Sequence, residues 1–499
     1  MKTASDKLFR LIKSMSPAEK RYFKRHYGST VNVLTDLFDT INAQDKYDES
    51  AIKELFPKKV ADNLKVYKFQ LEQQVLQSLI SSGYFSTVGS KIRLGLEQVD
   101  ILAERNLIDM AAKQLEKTRQ LCLKYEEFPY LLEVNAKEFR LKYLQARNTG
   151  KMLESKFTEH RKYLSILEEI NRLTELANEI GKLATSWPAT SKKDQRKAKS
   201  YLSHPLLNKK YPNTPIRSAF TVSQALGNIY LILGNVDQAR HHFQEGARLF
   251  DEDKNLKQHY APYYLLTLQR CITIAIYLRD VACAKKKLQE INQFLHRKTQ
   301  YLPHQIFAIK SELRLTILTA GEYEDQQKLE RKISRLIRGH SVSNNKDLSE
   351  LYLLMGGICI VNRQFDNAMD YLQIVATQDR STWAYFQDIT NVLELIIYFE
   401  QREQQHGRRK LAEMRQQGKQ NNSHEKSPLT RDIRLLFQAL FTNKHEAVAR
   451  AEALHQKMNQ HPSDRLTRQL LTICFPDWLK ATLEERPLHA VLAEANSLG

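Results

Sequence analysis

The side chains that could do chemistry are few and scattered. His241 and Glu245 stand four apart, and His445, Glu446 and His455 form a second loose group. On a helix, residues i and i+4 share a face, so His241 and Glu245 could touch. A closed metal site needs three or four converging ligands, and neither group points to a further one. The five cysteines (Cys122, Cys271, Cys283, Cys359 and Cys474) are odd in number and form no C-x-x-C pair. Each sits in an apolar helical pattern, so they read as reduced core thiols rather than a disulfide framework. No G-x-S-x-G, P-loop, G-x-G-x-x-G or H-E-x-x-H stretch occurs. The expectation is a protein without catalysis, metal or cofactor.

Charge offers a second kind of chemistry. Lys and Arg number 76 against 57 Asp and Glu, a formal net charge of +19. Such a balance permits binding to nucleic acid, anionic lipid or an acidic protein, although dispersed charge also describes plain solvated helices. The first 30 residues hold eight Lys and Arg against Asp6 and Glu19. Lys20, Arg21, Lys24 and Arg25 project from one short helix, interleaved with Tyr22, Phe23 and Tyr27. A helix of this kind could lie along phosphates, but Tyr22 and Phe23 are expected to face their own core. Lys192, Lys193, Arg196 and Lys197 form a weaker second cluster, read as a solvated loop.

The elements that must position these residues are helices. The chain has 499 residues but only 16 Gly and 13 Pro, with 42% hydrophobic residues. Low Gly and Pro with abundant Leu, Lys, Glu, Gln and Ala favours an all-α protein with a sizeable core. Residues 1–90 read as a separate helical module. Ser16-Pro17-Ala18-Glu19 is a capping box with proline at the first helical position, and Gly28 is the expected stop. A long helix is expected over 61–82. Residues 186–215 read as a loop around one basic helix, 401–430 as a polar linker, and 431–499 as helices capping the far end. No apolar stretch approaches the ~20 residues of a membrane span, and a cytoplasmic location is expected.

Between 91 and 400 the pattern repeats, most clearly over 220–253. There the residues resemble the tetratricopeptide repeat: Leu226-Gly227, Tyr230, Gly234, Ala239 and Phe243. Gly227 and Ala239 would let two antiparallel helices approach, Tyr230 and Phe243 would fill the space between repeats, and Gly234 would turn the chain. Equivalents of the small residue fall at Ala111, Ala239, Ala284, Gln326, Ala368 and Ala447, a period near 42. Gly356 and Ala368 match well, whereas Gln326 and Cys359 depart from the pattern.

The chain also resembles a family of uncharacterised bacterial helical-repeat proteins. The matching residues are 11–24, the His-Pro-Leu-Leu element at 204–207, and the repeats from Phe220 to about Thr377. This resemblance implies an N-terminal helical bundle followed by a right-handed, tetratricopeptide-like (TPR-like) α-solenoid, and supplies no activity. In such arrays the first helices line a groove that holds a peptide. Aligned on Gly227, the groove positions are Gln224 and Asn228, then Gln269 and Thr273, then Ser311. Amides suit that place because they both donate and accept. Carboxylate-clamp arrays use Lys where this chain has Gln224, so recognition of a C-terminal tail is not expected. The favoured reading is a protein-binding adaptor. The alternative is a regulator whose basic N-terminal module contacts nucleic acid or an effector protein while the repeats sense a ligand.

Overall fold

The computed structural model describes residues 6–27, 33–83, 87–144, 150–185, 191–208, 215–251, 254–296, 301–321, 324–339, 345–420, 429–442, 444–460 and 465–497. Among them every regular element is a helix. The chain divides into two compact units, Met1–Leu167 and Glu168–Gly499. Gly28, the expected stop of the second helix, lies outside the described residues.

The first unit opens with α1 (Lys7–Ser14), α2 (Pro17–Tyr27), α3 (Val33–Ala43), α4 (Glu49–Leu55), α5 (Lys58–Asp62) and α6 (Leu64–Gly83). The capping box closes as the sequence indicates. The Ser16 N–H donates to Glu19 Oε2 at 2.7 Å and the Glu19 N–H to Ser16 Oγ at 3.3 Å. One face of each helix buries Leu8, Ile12, Phe23, Phe38, Ile41, Ile52, Leu71 and Val75 in a shared core. Within it Phe23 stacks on Phe38, with ring centroids 4.5 Å apart. The helix expected over 61–82 is instead broken at Asn63. That residue donates its N–H to Val60 O at 3.1 Å and its side-chain amide to Lys59 O at 2.9 Å. A short polar side chain that satisfies the preceding turn offers the backbone an alternative to a continuous helix. The unit continues with α7 (Val88–Glu104), α8 (Ile108–Lys124), α9 (Phe128–Leu144) and the start of α10 (Gly150–Ala184). Arg119 of α8, only 6% exposed, bonds Asn135 Oδ1 at 2.8 Å and pairs with Glu138.

The second unit begins within α10, followed by α11 (Lys192–Tyr201) and α12 (Pro205–Asn208). Six helix pairs then follow. They are α13 (Ile216–Ile232) with α14 (Val236–Arg248), and, after α15 (Lys254–His259), α16 (Ala261–Tyr277) with α17 (Val281–Leu295). Next come α18 (Leu302–Leu318) with α19 (Gln326–Gly339), and α20 (Asn345–Val361) with α21 (Phe365–Ala376). The last are α22 (Arg380–Glu400) with α23 (Gln404–Gln420), and α24 (Thr430–Leu440) with α25 (Lys444–Gln460). Members of each pair touch, and the leading helices α16, α18, α20, α22 and α24 each touch the next. The chain ends in α26 (Arg465–Thr472), α27 (Phe475–Leu483) and α28 (Leu488–Ser497).

Small residues hold the pairs close. A Cβ on Gly227 would lie 2.6 Å from the Phe243 ring, and one on Gly407 2.4 Å from Phe441. Ala111, Ala239, Ala284, Ala368 and Ala447 are all fully buried. The two departures from the repeat compensate each other, because Gln326 Nε2 reaches Cys359 Sγ at 3.4 Å. The turn between partners is also constant. A left-handed residue follows each leading helix at Gly234, Arg279, Ala320, Arg363 and Arg402, spaced 45, 41, 43 and 39 residues apart. The next N–H then bonds back five residues, as from Asn235 to Tyr230 O at 2.9 Å and from Asp280 to Ala275 O at 2.8 Å. This is the Schellman closure, which satisfies the last free carbonyls of a helix. Four of these five residues carry a side chain in a conformation that glycine would adopt without strain.

Two expectations are corrected. The segment 401–430 is not a linker over most of its length, since α23 buries Leu411 and Met414. Residues 421–428 lie outside the described ones. With two apolar anchors among Gln, Arg and Lys, the periodicity was too sparse to mark a helix. The basic segment does hold the expected helix, α11, whose Ala198 is buried.

The close approach at Gly227 makes a direct prediction. Gly227→Ala should destabilise the second unit by about 1–3 kcal/mol, the usual cost of overpacking. Gly181→Ala, at a position in α10 with nothing within 4 Å, should be neutral or stabilise by up to about 1 kcal/mol. Urea unfolding of the two variants distinguishes them, and equal effects would refute the packing argument.

Candidate functional site

Registering the leading helices on their left-handed residues defines one shared face. Six residues before that marker stand Asn228, Thr273, Arg314, Gly357 and Ile396, and ten before it stand Gln224, Gln269, Lys310, Leu353 and Val392. Positions four apart lie one above the other on a helix. The face is therefore polar on α13, α16 and α18 and apolar on α20 and α22.

Of the five residues expected to line a groove, the structure leaves two accessible. Gln269 and Thr273 are half-buried. Gln224 is 6% exposed and its amide donates to Thr267 Oγ1 at 3.3 Å, joining α13 to α16. Asn228 is also 6% exposed. Ser311 is wholly buried, with its hydroxyl bonded to Phe307 O at 2.9 Å. Its selection is corrected here. The step from α16 to α18 is 41 residues, not 42, so the equivalent positions are Lys310 and Arg314. The left-handed residues, none of them glycine after Gly234 in this series except by proximity of Gly321, carried too weak a sequence signal to fix that register.

Lys310 and Arg314 are tied to the next leading helix. Lys310 Nζ lies 2.7 Å from Asp347 and 2.5 Å from Glu350, and Arg314 Nη2 lies 2.8 Å from Glu350. Arg270 of α16 has no such counterpart, and burial pulls its guanidinium below the ordinary value. Burial likewise lowers His304 on α18, favouring the neutral ring.

The apolar end of the face is covered by the chain's own C-terminal helices, which do not simply close the last pair as the sequence indicated. Ile473 packs beside Gly357, and Cys474 and Leu492 join the core built by α18, α19 and α20. Arg279 Nη2 donates to both carboxylate oxygens of Asp477, at 2.8 and 2.7 Å. Asn496 donates to Leu318 O at 2.9 Å and Trp478 Nε1 to Glu400 at 2.9 Å. Cys474 departs from its expected place within a helix. It caps α27 with a φ of 54°.

The remaining candidates are placed elsewhere. Lys20 donates to Asn42 Oδ1 at 2.7 Å, Lys13 to Asn42 O at 2.8 Å, and Lys24 pairs with Asp39 at 2.7 Å. These bonds hold α2 and α1 against the end of α3, leaving Arg21 and Arg25 exposed. Lys192, Lys193, Arg196 and Lys197 are exposed on α11. His241 is exposed, while Glu245 pairs with Arg248. Among the described residues no three His, Cys, Asp or Glu side chains converge as metal ligands, and no helix is long and apolar enough to cross a membrane. Burial pushes the thiols of Cys122, Cys271, Cys359 and Cys474 up to about 12, whereas Cys283 is only half-buried.

No protein-family model matches this sequence, and comparison with curated proteins finds no match.

Two outcomes follow from this geometry. At about pH 8, near the ordinary thiol range, a thiol reagent should modify Cys283 first and all five cysteines only after unfolding. Rapid modification of several thiols in the folded chain would contradict their burial. Asp477→Ala strands Arg279 and should cost about 2 kcal/mol. Hydrogen exchange should then accelerate over 465–497 more than over α13 and α14.

Proposed function

We propose that the chain is a non-enzymatic interaction scaffold. In this reading an N-terminal helical bundle precedes a right-handed, TPR-like solenoid, and the leading helices of the first pairs hold a protein or peptide segment. One observation carries the reading. The face made by the leading helices is polar where it is open and apolar where the chain itself covers it. A surface intended only for solvent has no need of that division, whereas an adaptor needs one part of its face sealed and another accessible. Half-buried Gln269 and Thr273 supply donors and acceptors of the kind a peptide backbone requires.

The rival reading, with the basic N-terminal module on nucleic acid, draws less support. Lys20 and Lys24 are engaged with α3, leaving only Arg21 and Arg25 of that quartet to project.

Tagged full-length protein recovered from its own cells, with and without nuclease, separates the two. The scaffold reading expects a defined protein in stoichiometric amount in both samples, lost when Gln269 and Thr273 are both changed to alanine. Recovery that vanishes with nuclease, falls steeply between ~50 and ~200 mM salt and depends on Arg21 and Arg25 would overturn it.

A further inference from the structure

Five side chains on the first three leading helices carry a buried polar atom without a hydrogen-bond partner. They are Arg217 Nε and Asn228 Oδ1 on α13, Arg270 Nε on α16, and His304 Nδ1 and Arg314 Nε on α18. Buried polar atoms are normally paired, because stripping them of water without replacement is costly. Three of the five atoms belong to guanidinium groups. Arg314 has Glu350, but Arg270 makes no ion pair or hydrogen bond with any described residue. A largely buried cation without a counter-charge is an unfavourable arrangement for a fold to retain.

These groups share a surface. Asn228 and Arg314 occupy the same register position, six residues before the left-handed marker, and Arg270 stands nine before it. Three residues of separation keep two positions on adjoining parts of one helix face. Arg217 precedes Asn228 by eleven residues, about three helical turns, so it lies along the same stripe. Gln269 and Thr273 complete the surface between them. It ends at Gly357, where Ile473 begins the C-terminal cover.

We propose that this surface binds an acidic protein segment in extended form, its carboxylates meeting Arg270, Arg217 and Arg314 and its backbone meeting Asn228, Gln269 and Thr273. The proposal rests on the scaffold reading and names the chemistry of the partner. Guanidinium groups favour carboxylates because their planar donors match the two oxygens. Nucleic acid fits less well, since phosphate backbones are met by projecting cations, and these arginines are held down among helices.

The test uses the full chain and a fluorescein-labelled decapeptide of alternating Glu and Ser, read by anisotropy. A Lys and Ser decapeptide and an oligothymidylate serve as comparisons. The acidic peptide should bind, and Arg270→Met should weaken it by roughly tenfold or more, the scale of one charge-assisted hydrogen bond. The same variant should melt at or above the wild-type temperature, because it replaces an uncompensated cation with an apolar stem of similar length. Arg270→Gln, which keeps polarity but not charge, should bind as weakly as Arg270→Met. Unchanged binding in either variant, equal binding of the basic peptide or oligothymidylate, or a lowered melting temperature in Arg270→Met would overturn the proposal. Should the acidic peptide fail while the cellular partner still depends on Gln269 and Thr273, the scaffold reading stands and the acidic chemistry falls. Failure of both removes the two together.

Discussion

Every helix pair in the second unit depends on a close crossing in which a small residue on one helix meets a large one on its partner. Gly227 against Phe243 is the clearest instance, because the ring occupies the space a β-carbon would take. Gly407 against Phe441 repeats the device two hundred residues later in the chain's order of pairs. Such contacts fix the distance between helix axes, and the axes in turn decide which side chains the next pair can reach. Ala239, Ala284, Ala368 and Ala447 extend the same constraint along the unit. Where Gln326 replaces the small residue, a contact with Cys359 accommodates it.

Constant spacing also needs a constant turn. Left-handed residues close the leading helices, and side chains occupy most of those positions. Each accepts some backbone strain, on the order of 1 kcal/mol, that glycine would avoid. The hydrogen bonds of the Schellman closure offset it by satisfying carbonyls that would otherwise end the helix unpaired. Arg279 is the most informative of these residues. Its backbone turns the chain after α16 while its guanidinium holds Asp477 of α27. One residue therefore joins the geometry of the pairs to the anchoring of the C-terminal helices.

That anchoring divides the leading-helix face into two chemistries. On α20 an uninterrupted stretch from Leu353 to Ile360 is buried, because α18, α21, α22 and the C-terminal helices surround it. On α13, α16 and α18 the same register carries amides, hydroxyls and cations. Apolar side chains in the first region find apolar partners within the chain. Polar ones in the second do not all find polar partners, and Arg270 is the extreme case. The contrast arises from neighbouring helices of one unit, under one packing rule.

Much of this was legible in the residues alone. Scarcity of glycine and proline together with helical periodicity determined an all-helical chain, and the Ser16–Glu19 spacing determined a helix start. The Gly227 to Phe243 pattern located a helix pair and its turn. These features are readable because they rest on interactions between residues near in sequence. The break at Asn63, the helix over Gln404–Gln420 and the shift from Ser311 to Arg314 were not readable in this way. Each turns on a local competition or a one-residue step that periodicity cannot resolve. Tertiary structure alone decided which part of the face is covered. Asp477 meets Arg279 across 198 residues of sequence, and no local pattern encodes a contact at that separation.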